Sequence, residues 1–320
     1  MVNDEQDTFL IKEQLENDQE QWNAKLNLFF SFDVVNSTKY KNLNKNWPVE
    51  LKNLLDTIRK IVSDSKVDII STSILWRVIG DELIFVATVS NSNDLVKGVA
   101  EISAITQRIS SDIQEWDTTK LLDIKSASWI AAVRNEMDNS DNYSLFDNIL
   151  CNYQASSSKQ VIRDYLGKDI DAGFRLKYYT KRRRLVISFE LAYFLYKAKK
   201  EEKNHLYIMD YIKLKGVWNE SLYPIIWYDN NNKKAFINSF KYDERVNNPI
   251  IEHFFCRQAK YDINDIDKKM IIRIMNKIPK ENMIMLADDM YEVDKAIDKI
   301  YVDKDLKAKI DYIRSLLNNG

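Results

Sequence analysis

The chain has 320 residues, of which 45% are hydrophobic and 12% aromatic, so it can build one large or two ordinary globular domains around a substantial core. The charges of its 47 basic and 48 acidic residues nearly cancel, so the protein as a whole has no strong electrostatic field. We therefore expect neither nucleic acid nor a membrane as a partner. The two cysteines and two histidines have no metal-ligand or catalytic spacing, which excludes a disulfide framework, a zinc site and histidine-based nucleophilic catalysis.

The sequence shows no targeting or membrane-spanning signal. Residues 1–22 are acidic and lack the apolar core of a signal peptide. No uninterrupted apolar run approaches the ~20 residues that a membrane helix requires. We therefore expect a cytoplasmic protein.

The first predicted element is the apolar run "LNLFFSFDVV", which is typical of a buried strand and carries Asp33 near its end. Ser37 or Thr38 can cap the helical turn that follows, and "VELKNLLDTIRKIV" has a helical period. The runs "DIISTSILWRV" and "ELIFVATVS" are rich in strand-forming residues and flank "IGD". This pattern predicts a hairpin with Gly80 in its turn.

Helices and strands continue to alternate in the second half of the chain. We predict a long helix, a strand, a polar loop, a short strand, a helix, a strand leading into a helix, and a closing antiparallel pair. The corresponding segments are "NDLVKGVAEISAITQRISSDIQEW", "LDIKSASWIAAV", "RNEMDNSDNYSLFDN", "SKQVIRDYLG", "KDIDAGFRLKYY", "LVISFELAYFLYKAKK", and "HLYIMDYIKLKGVW" with "SLYPIIWYD". The order predicts an α/β (α+β) fold of the ferredoxin-like βαββαβ type with extra C-terminal strands.

Composition changes near residue 230, where asparagine and lysine become frequent. Later segments, including "VDKAIDKIYVDKDLKAKIDYIRSLL", have a helical period. We therefore predict an N-terminal segment over 1–24, a main domain over 25–232 and a helical extension over 233–320.

Two aspartates form the strongest candidate site. Asp33 ends the first strand and Asp81 lies in the hairpin turn, and a ferredoxin-like sheet can place that strand beside that hairpin. Two convergent carboxylates with few other ligands suit Mg²⁺ or Mn²⁺ together with substrate phosphates. The alternative is that each aspartate only stabilises its own turn.

Four motifs resemble those of class III nucleotidyl cyclases. "SFDVVNST" resembles the first-strand motif Phe-Ala-Asp-Ile-x-Gly-Phe-Thr, and "RVIGDEL" resembles the hairpin motif Lys-x-x-Gly-Asp. "DYLGKDIDAGFRL" is similar to Asp-Ile-Trp-Gly-x-x-Val-Asn-x-Ala-x-Arg, and "KLKGVWNESLYPI" resembles the late Lys-Gly-Lys-Gly…Thr-Tyr stretch. The four occur in the family's order over about residues 26–230, which makes the resemblance specific.

The sequences "DVVNSTKY" and "WRVIGDELIF" most resemble the corresponding segments of the pyrimidine cyclases of bacterial Pycsar anti-phage systems. The resemblance implies conversion of UTP to 3′,5′-cyclic UMP and pyrophosphate, a second messenger for a separate cyclic-nucleotide-binding effector protein. A cytidylate or purine cyclase would share the catalytic residues. A non-catalytic nucleotide-sensing module is the alternative of another class.

The resemblance also implies a two-metal site. Asp33 and Asp81 would hold two Mn²⁺ or Mg²⁺ ions with help from the backbone carbonyl of Val34. Residues Asn36, Ser37 and Thr38 would open a helix whose free N–H groups face the triphosphate.

The later motifs imply the remaining catalytic groups. Arg175 would stabilise charge on the transferred phosphate, and Lys213 or Lys215 would bind phosphate. Asp171 stands where the family has an asparagine that positions the ribose. The alternative for Asp171 and Arg175 is a surface ion pair between residues four apart on one helix.

Two positions would read the base. Arg77 and Asp164 align with the family's purine-reading positions. Arginine only donates hydrogen bonds and suits O2 or O4 of a pyrimidine, whereas aspartate accepts from N3–H or an exocyclic amine. This pair tilts the prediction towards uracil without excluding cytosine.

In the resembled family the active site lies across a head-to-tail dimer. The metal aspartates of one protomer face the arginine and lysine of the other. Because this chain carries both sets of residues, we expect a homodimer with two active sites.

Overall fold

A computed structural model describes residues 24–135, 144–154, 161–199, 205–217, 222–230 and 304–318. Its strands are β1 (Lys25–Val35), β2 (Ile74–Ile79), β3 (Glu82–Thr88), β4 (Asp123–Asn135), β5 (Asn148–Gln154), β6 (Val161–Leu166), β7 (Leu185–Ile187), β8 (Leu206–Lys213) and β9 (Leu222–Tyr228). Its helices are α1 (Ser37–Leu43), α2 (Trp47–Ser63), α3 (Asp68–Ser71), α4 (Ser92–Trp116), α5 (Lys168–Leu176), α6 (Phe189–Ala198) and α7 (Lys304–Asn318), and a 3₁₀ turn spans Lys177–Tyr179.

The first four strands form the predicted ferredoxin-like sheet. They lie in the order β2-β3-β1-β4, and every neighbouring pair is antiparallel. The helices α1 to α3 lie between β1 and β2 in the chain, and α4 connects β3 to β4. The mixed α/β fold class and the βαββαβ order are therefore confirmed.

The central strand β1 is buried on both faces, which explains its nearly continuous apolar run. On one face Phe30 stacks on Phe85 of β3. On the other, Phe29 stacks on Trp129 of β4, and Phe174 of α5 packs against the same tryptophan. We call this second surface the α5 face.

The remaining strands extend the sheet beyond β4. β7 pairs parallel to β4, and β9 and β8 follow in antiparallel order, as the predicted closing pair requires. β5 pairs parallel to the end of β4 and carries β6 at its other edge.

Two local predictions were wrong. The stretch predicted as a loop, residues 134–148, overlaps the end of β4 at Arg134 and Asn135 and the first residue of β5 at Asn148, and the segment "NILCNYQ" forms a strand that the sequence did not predict. The run from Asp68 does not start as a strand but forms α3, where the hydroxyl of Thr72 donates to the carbonyl of Asp68 at 2.7 Å. Such local hydrogen bonds compete with strand formation.

The start of α1 also differs from the expectation. Asn36, and neither Ser37 nor Thr38, is the N-cap residue, and its φ of 62° lies in the left-handed region that asparagine tolerates. Its side-chain amide donates to the carbonyl of Leu121 at 3.0 Å, which ties the end of β1 to the start of β4.

The predicted C-terminal extension is described only in α7, which is helical as its period indicates. Residues 233–303 and the segment 1–23 lie outside the described residues, so the domain boundaries stay a prediction. No helix in the described ranges has the length and apolar character needed to cross a bilayer.

Candidate active site

The fold brings the two predicted metal ligands to one place. β1 and β3 pair in a register that sets Asp33 opposite Glu82, and Asp81 is the preceding residue in the hairpin turn. The backbone N–H of Val34 donates to the carbonyl of Asp81 at 3.4 Å, which holds the turn against the end of β1. Gly80 makes the turn possible because its φ of 65° is costly for residues with a side chain.

A lysine that the sequence analysis missed completes this corner. Asp33 lies opposite Lys125 in the β1–β4 register, and Lys125 Nζ is 3.0 Å from Asp33 Oδ2. On the other side of Asp33, Glu82 forms an ion pair with Lys177 of the 3₁₀ turn. The available signal was the charge of Lys125 inside the otherwise uncharged strand run "IKSASWIAAV".

The charges around Asp33 act in opposite directions on its ionisation. Burial raises the pKa of the Asp33 carboxyl above its ordinary value, and the carboxylates of Glu82 and Asp81 raise it further. The nearby ammonium of Lys125 opposes these effects but does not cancel them. An added positive charge at this corner would therefore be favourable.

The donor atoms present fit a hard divalent cation. The described residues include no cluster of three or more His, Cys, Asp or Glu side chains arranged to hold a metal ion. Asp33 and Asp81 supply two carboxylates, and the nearby Oε1 of Glu82 is buried with no hydrogen-bond partner among the described residues. Oxygen donors in this small number suit Mg²⁺ or Mn²⁺ that keeps open positions for substrate oxygens.

The three residues after β1 have different surroundings. Asn36 uses its side chain to bind Leu121, Ser37 is buried, and Thr38 is exposed. The hydrogen bond to Leu121 uses one of the two N–H donors of the Asn36 side chain. The predicted phosphate contact stays a prediction.

Helix α5 presents Asp171 and Arg175 on its outer face. The buried positions of this helix are Asp169, Ile170, Gly173 and Leu176. Asp171 is exposed and Arg175 is half-buried, and within the described part of the chain no ion pair joins them. The surface ion pair considered for these two residues does not form. The guanidinium of Arg175 is therefore available to bind a different anionic group.

The loop after β8 lies next to Arg175. A Cβ atom placed on Gly216 would be 3.8 Å from Nη1 of Arg175. Lys213 ends β8 and Lys215 precedes this glycine, and both side chains are exposed. We refer to Arg175, Lys213 and Lys215 as the cation set, and to Asp33 and Asp81 as the carboxylate pair.

The carboxylate pair and the lysines of the cation set lie at opposite ends of the sheet. Asp33 is level with Lys125 of β4, and three residues further along β4, Ser128 is level with Ile187 of β7 and Ile226 of β9. Another four residues in the same direction lead to Leu222, which pairs with Lys213. Seven residues at about 3.3 Å each separate the two levels by roughly 23 Å.

The two predicted base-reading residues are bound to each other. Arg77 on β2 forms an ion pair with Asp164 on β6, although 87 residues separate them in the chain. The other oxygen of Asp164 accepts the backbone N–H of Tyr165 at 2.9 Å, and the guanidinium of Arg77 lies 4.9 Å from the ring centre of Trp76. Arg77 remains 39% exposed, whereas Asp164 is 16% exposed.

No protein-family model and no curated protein matches the chain. Solved structures with a similar fold include the adenylyl cyclase CyaB from P. aeruginosa, with a TM-score of 0.48 and 18% identity over 65% of this chain and 95% of that chain. The guanylate cyclase domain of RhGC from Catenaria anguillulae has a TM-score of 0.45 and 13% identity over 64% and 96% of the two chains. The guanylyl cyclase Cya2 has a TM-score of 0.45 and 13% identity over 65% and 93%. Proteins this distant share folds without sharing activities, so the residues of the site must carry the case for function.

Proposed function

We propose that the protein is a cytoplasmic nucleotide cyclase that converts UTP to 3′,5′-cyclic UMP and pyrophosphate. The observation that carries this proposal is the meeting of Asp33 and Asp81 at the end of β1, fixed by the β1–β3 register and by the Val34–Asp81 hydrogen bond. The order of the four cyclase-like motifs supports it.

In this reaction the substrate supplies its own nucleophile. The ribose 3′-oxygen forms a bond to the α-phosphorus, the bond from that phosphorus to the bridging oxygen breaks, and the hydroxyl proton passes to solvent. Two bound Mn²⁺ or Mg²⁺ ions would lower the pKa of the hydroxyl and offset the charge of the triphosphate. The protein therefore needs carboxylates and cations and no catalytic histidine, which agrees with its composition.

The carboxylate pair would hold the ions together with the carbonyl of Val34. Strand β1 fixes Asp33, and the hydrogen bond from Val34 holds the turn that carries Asp81, so little reorganisation is required when a cation arrives. Lys125 would neutralise Asp33 before substrate binds, because its ammonium already lies 3.0 Å from that carboxylate.

The cation set would act on the triphosphate. Arg175 would stabilise the negative charge that develops on the α-phosphate, and Lys213 or Lys215 would bind the outer phosphates. The side chains of both lysines are exposed, and Arg175 is half-buried, so solvent reaches each of the three. Asp171 lies one helical turn before Arg175 and would contact the ribose.

A second copy of the chain would complete each active site. In one chain the lysines and the carboxylate pair lie at opposite ends of the sheet, and a head-to-tail partner would bring them together. Apolar side chains suited to such an interface are exposed on β2, on β6 and in the 3₁₀ turn. These are Ile74, Val78, Ile79, Ile162, Leu166 and Tyr178.

Base selection would depend on Arg77. Asp164 accepts hydrogen bonds from Arg77 and from the backbone N–H of Tyr165, so this carboxylate would orient the guanidinium of Arg77. The remaining N–H groups of Arg77 can donate to a carbonyl oxygen of the base. Uracil presents O4 and O2, which favours UTP over CTP. The product would act as an anti-phage second messenger on a separate effector protein.

The direct test incubates the purified protein with each of the four nucleoside triphosphates and Mn²⁺ and identifies the products by mass spectrometry. We expect cyclic UMP as the main product and an equal amount of pyrophosphate. Cyclic CMP or a cyclic purine nucleotide would correct the substrate. Binding of a nucleotide without any cyclic product would replace the enzyme with a nucleotide-sensing module.

A further inference from the structure

The C-terminal helix α7 inserts a lysine into the main domain. Lys309 forms ion pairs with Asp169 at the start of α5 and with Glu190 at the start of α6, the second at 2.8 Å. The three side chains are 17%, 8% and 7% exposed. The contact spans 119 to 140 residues of sequence. The same helix also buries the apolar side chains Leu306, Ile310, Ile313 and Leu317.

Two opposing effects act on the charge of Lys309. Burial alone would lower the pKa of its ammonium, but the carboxylates of Asp169 and Glu190 outweigh burial and raise it above its ordinary value. Lys309 therefore stays charged throughout the physiological range. Removing this charge would leave two buried carboxylates without their shared partner, which is unfavourable.

Asp169 is part of the joint that fixes the start of α5. Its backbone N–H donates to Oδ1 of Asn148 at 3.1 Å, and Nδ2 of Asn148 donates back to Oδ2 of Asp169 at 3.0 Å. Asn148 also donates to the carbonyl of Ala132 in β4 at 3.0 Å. Gly167 leaves room for this amide, because a Cβ atom there would lie 2.2 Å from Oδ1 of Asn148.

The rest of α5 is held equally closely. A Cβ atom on Gly173 would lie 2.3 Å from the ring of Trp129, so the helix backbone rests directly on the sheet. Arg175 lies six residues after Asp169, which is about 9 Å along the helix. A shift or rotation of the start of α5 would therefore move the guanidinium of Arg175 by a similar amount.

We infer that Lys309 is a positioning residue for the cyclisation reaction, because its ion pairs to Asp169 and Glu190 hold α5 in the place and rotation that Arg175 requires. This inference rests on the proposed function. Lys309 touches no reacting atom and acts through α5. The C-terminal helix is thus a working part of the catalytic domain and not an independent tail.

The test uses full-length chains that carry Lys309→Met, Lys309→Arg or Lys307→Met. Lys307 is exposed on the same helix and serves as the matched control. We expect Lys309→Met to lower kcat at least about 10-fold while KM changes less than about 2-fold, because Arg175 acts on the transition state. Lys309→Arg should recover most of kcat, and Lys307→Met should match the wild type.

Hydrogen exchange of the same chains gives a readout that does not depend on activity. Lys309→Met should speed exchange of the α5 amides at least about 10-fold and leave those of α4 unchanged. If the wild type forms no cyclic product, the proposed function fails. If, in addition, Lys309→Met leaves the exchange of the α5 amides unchanged, the link from Lys309 to α5 is also wrong. Faster α5 exchange with an unaltered kcat would overturn the positioning role.

A second variant covers the case in which Lys309→Met does not fold. Lys309→Met with Glu190→Gln leaves only Asp169 charged, and that carboxylate keeps its hydrogen bond from Asn148. We expect this double variant to fold and to show the same selective loss of kcat. If it does not fold either, Lys309 is a stability determinant and the positioning role is wrong.

Discussion

Asp33 and Lys125 face each other across β1 and β4, with Nζ of the lysine 3.0 Å from Oδ2 of the aspartate. Each side chain is a little over one quarter exposed, with 27% for Lys125 and 28% for Asp33. The lysine reduces the cost of burying the carboxylate but does not remove it, since the pKa of Asp33 remains raised by burial, with Glu82 and Asp81 adding to the effect. The negative charge of Asp33 is therefore only partly compensated, and binding of a cation beside it would be favourable.

This raised pKa predicts how stability depends on pH without metal. The folded chain holds the Asp33 proton more tightly than the unfolded chain, so stability falls as pH rises from the ordinary value of 3.8 through the raised value. Asp33→Asn removes this loss. We expect the variant to be more stable than the wild type near neutral pH in chelator-treated buffer, as measured by urea unfolding. Equal pH profiles for the two proteins would contradict the prediction.

Removing the second carboxylate should separate catalysis from folding. Asp81→Ala deletes a metal-facing group in a turn without opening the core, so we expect cyclase activity to fall below detection and the melting temperature to change little. Mn²⁺ should raise the melting temperature of the wild type but not of the variant. The control is Asp56→Ala, which removes an exposed carboxylate paired with Lys52 on α2. Retained activity in Asp81→Ala would remove this residue from the site.

Arg175→Ala tests the group that would stabilise the transferred phosphate. Loss of one such donor typically costs about 3 kcal/mol in the transition state, so kcat should fall about 100-fold to 1,000-fold. Folding should be little affected, because Arg175 is not among the buried positions by which α5 packs on the sheet. Lys168→Ala, an exposed change on the same helix, is the matched control. A loss of activity of equal size in both variants would point to damage to α5 itself.

A mixed dimer tests whether each site uses two chains. We would co-express Asp81→Ala and Arg175→Ala chains with different affinity tags and purify the species that carries both. In a head-to-tail dimer one site collects both defects and the other collects none, so we expect about half of the wild-type activity per dimer. An inactive mixed dimer would mean that each site is formed within one chain, and a monomer by light scattering would exclude the shared site.

Arg77→Gln tests base selection. Glutamine keeps a donor but adds an acceptor, so it should pair better with the exocyclic amine of cytosine. We expect the ratio of kcat/KM for UTP over CTP to fall about 10-fold, as one altered hydrogen bond would produce. Arg163→Gln on the exposed surface of β6 is the control. An unchanged ratio would place base recognition elsewhere.

Local sequence patterns predicted most of the fold. The apolar run ending near Asp33, the hairpin around Gly80 and the helix carrying Arg175 all appear where the sequence indicated. Their signals are local, since they come from residue spacing, turn chemistry and a period that neighbouring residues share. The segment that begins at Asp68 was predicted as a strand but is a helix. Its sequence is short and ambiguous, and local side-chain hydrogen bonds favour the helix.

Tertiary structure decided what surrounds each of these residues. Three ion pairs join residues that are 87 to 140 positions apart in the sequence: Asp33 with Lys125, Arg77 with Asp164, and Lys309 with Asp169. No local pattern specifies such pairs, because they follow from strand register and from which helix covers which face of the sheet. The sequence by itself thus determined which residues could do chemistry. The packing of the sheet decided that the carboxylate pair converges, that the lysines of the cation set lie at the far end, and that the C-terminal helix contacts α5.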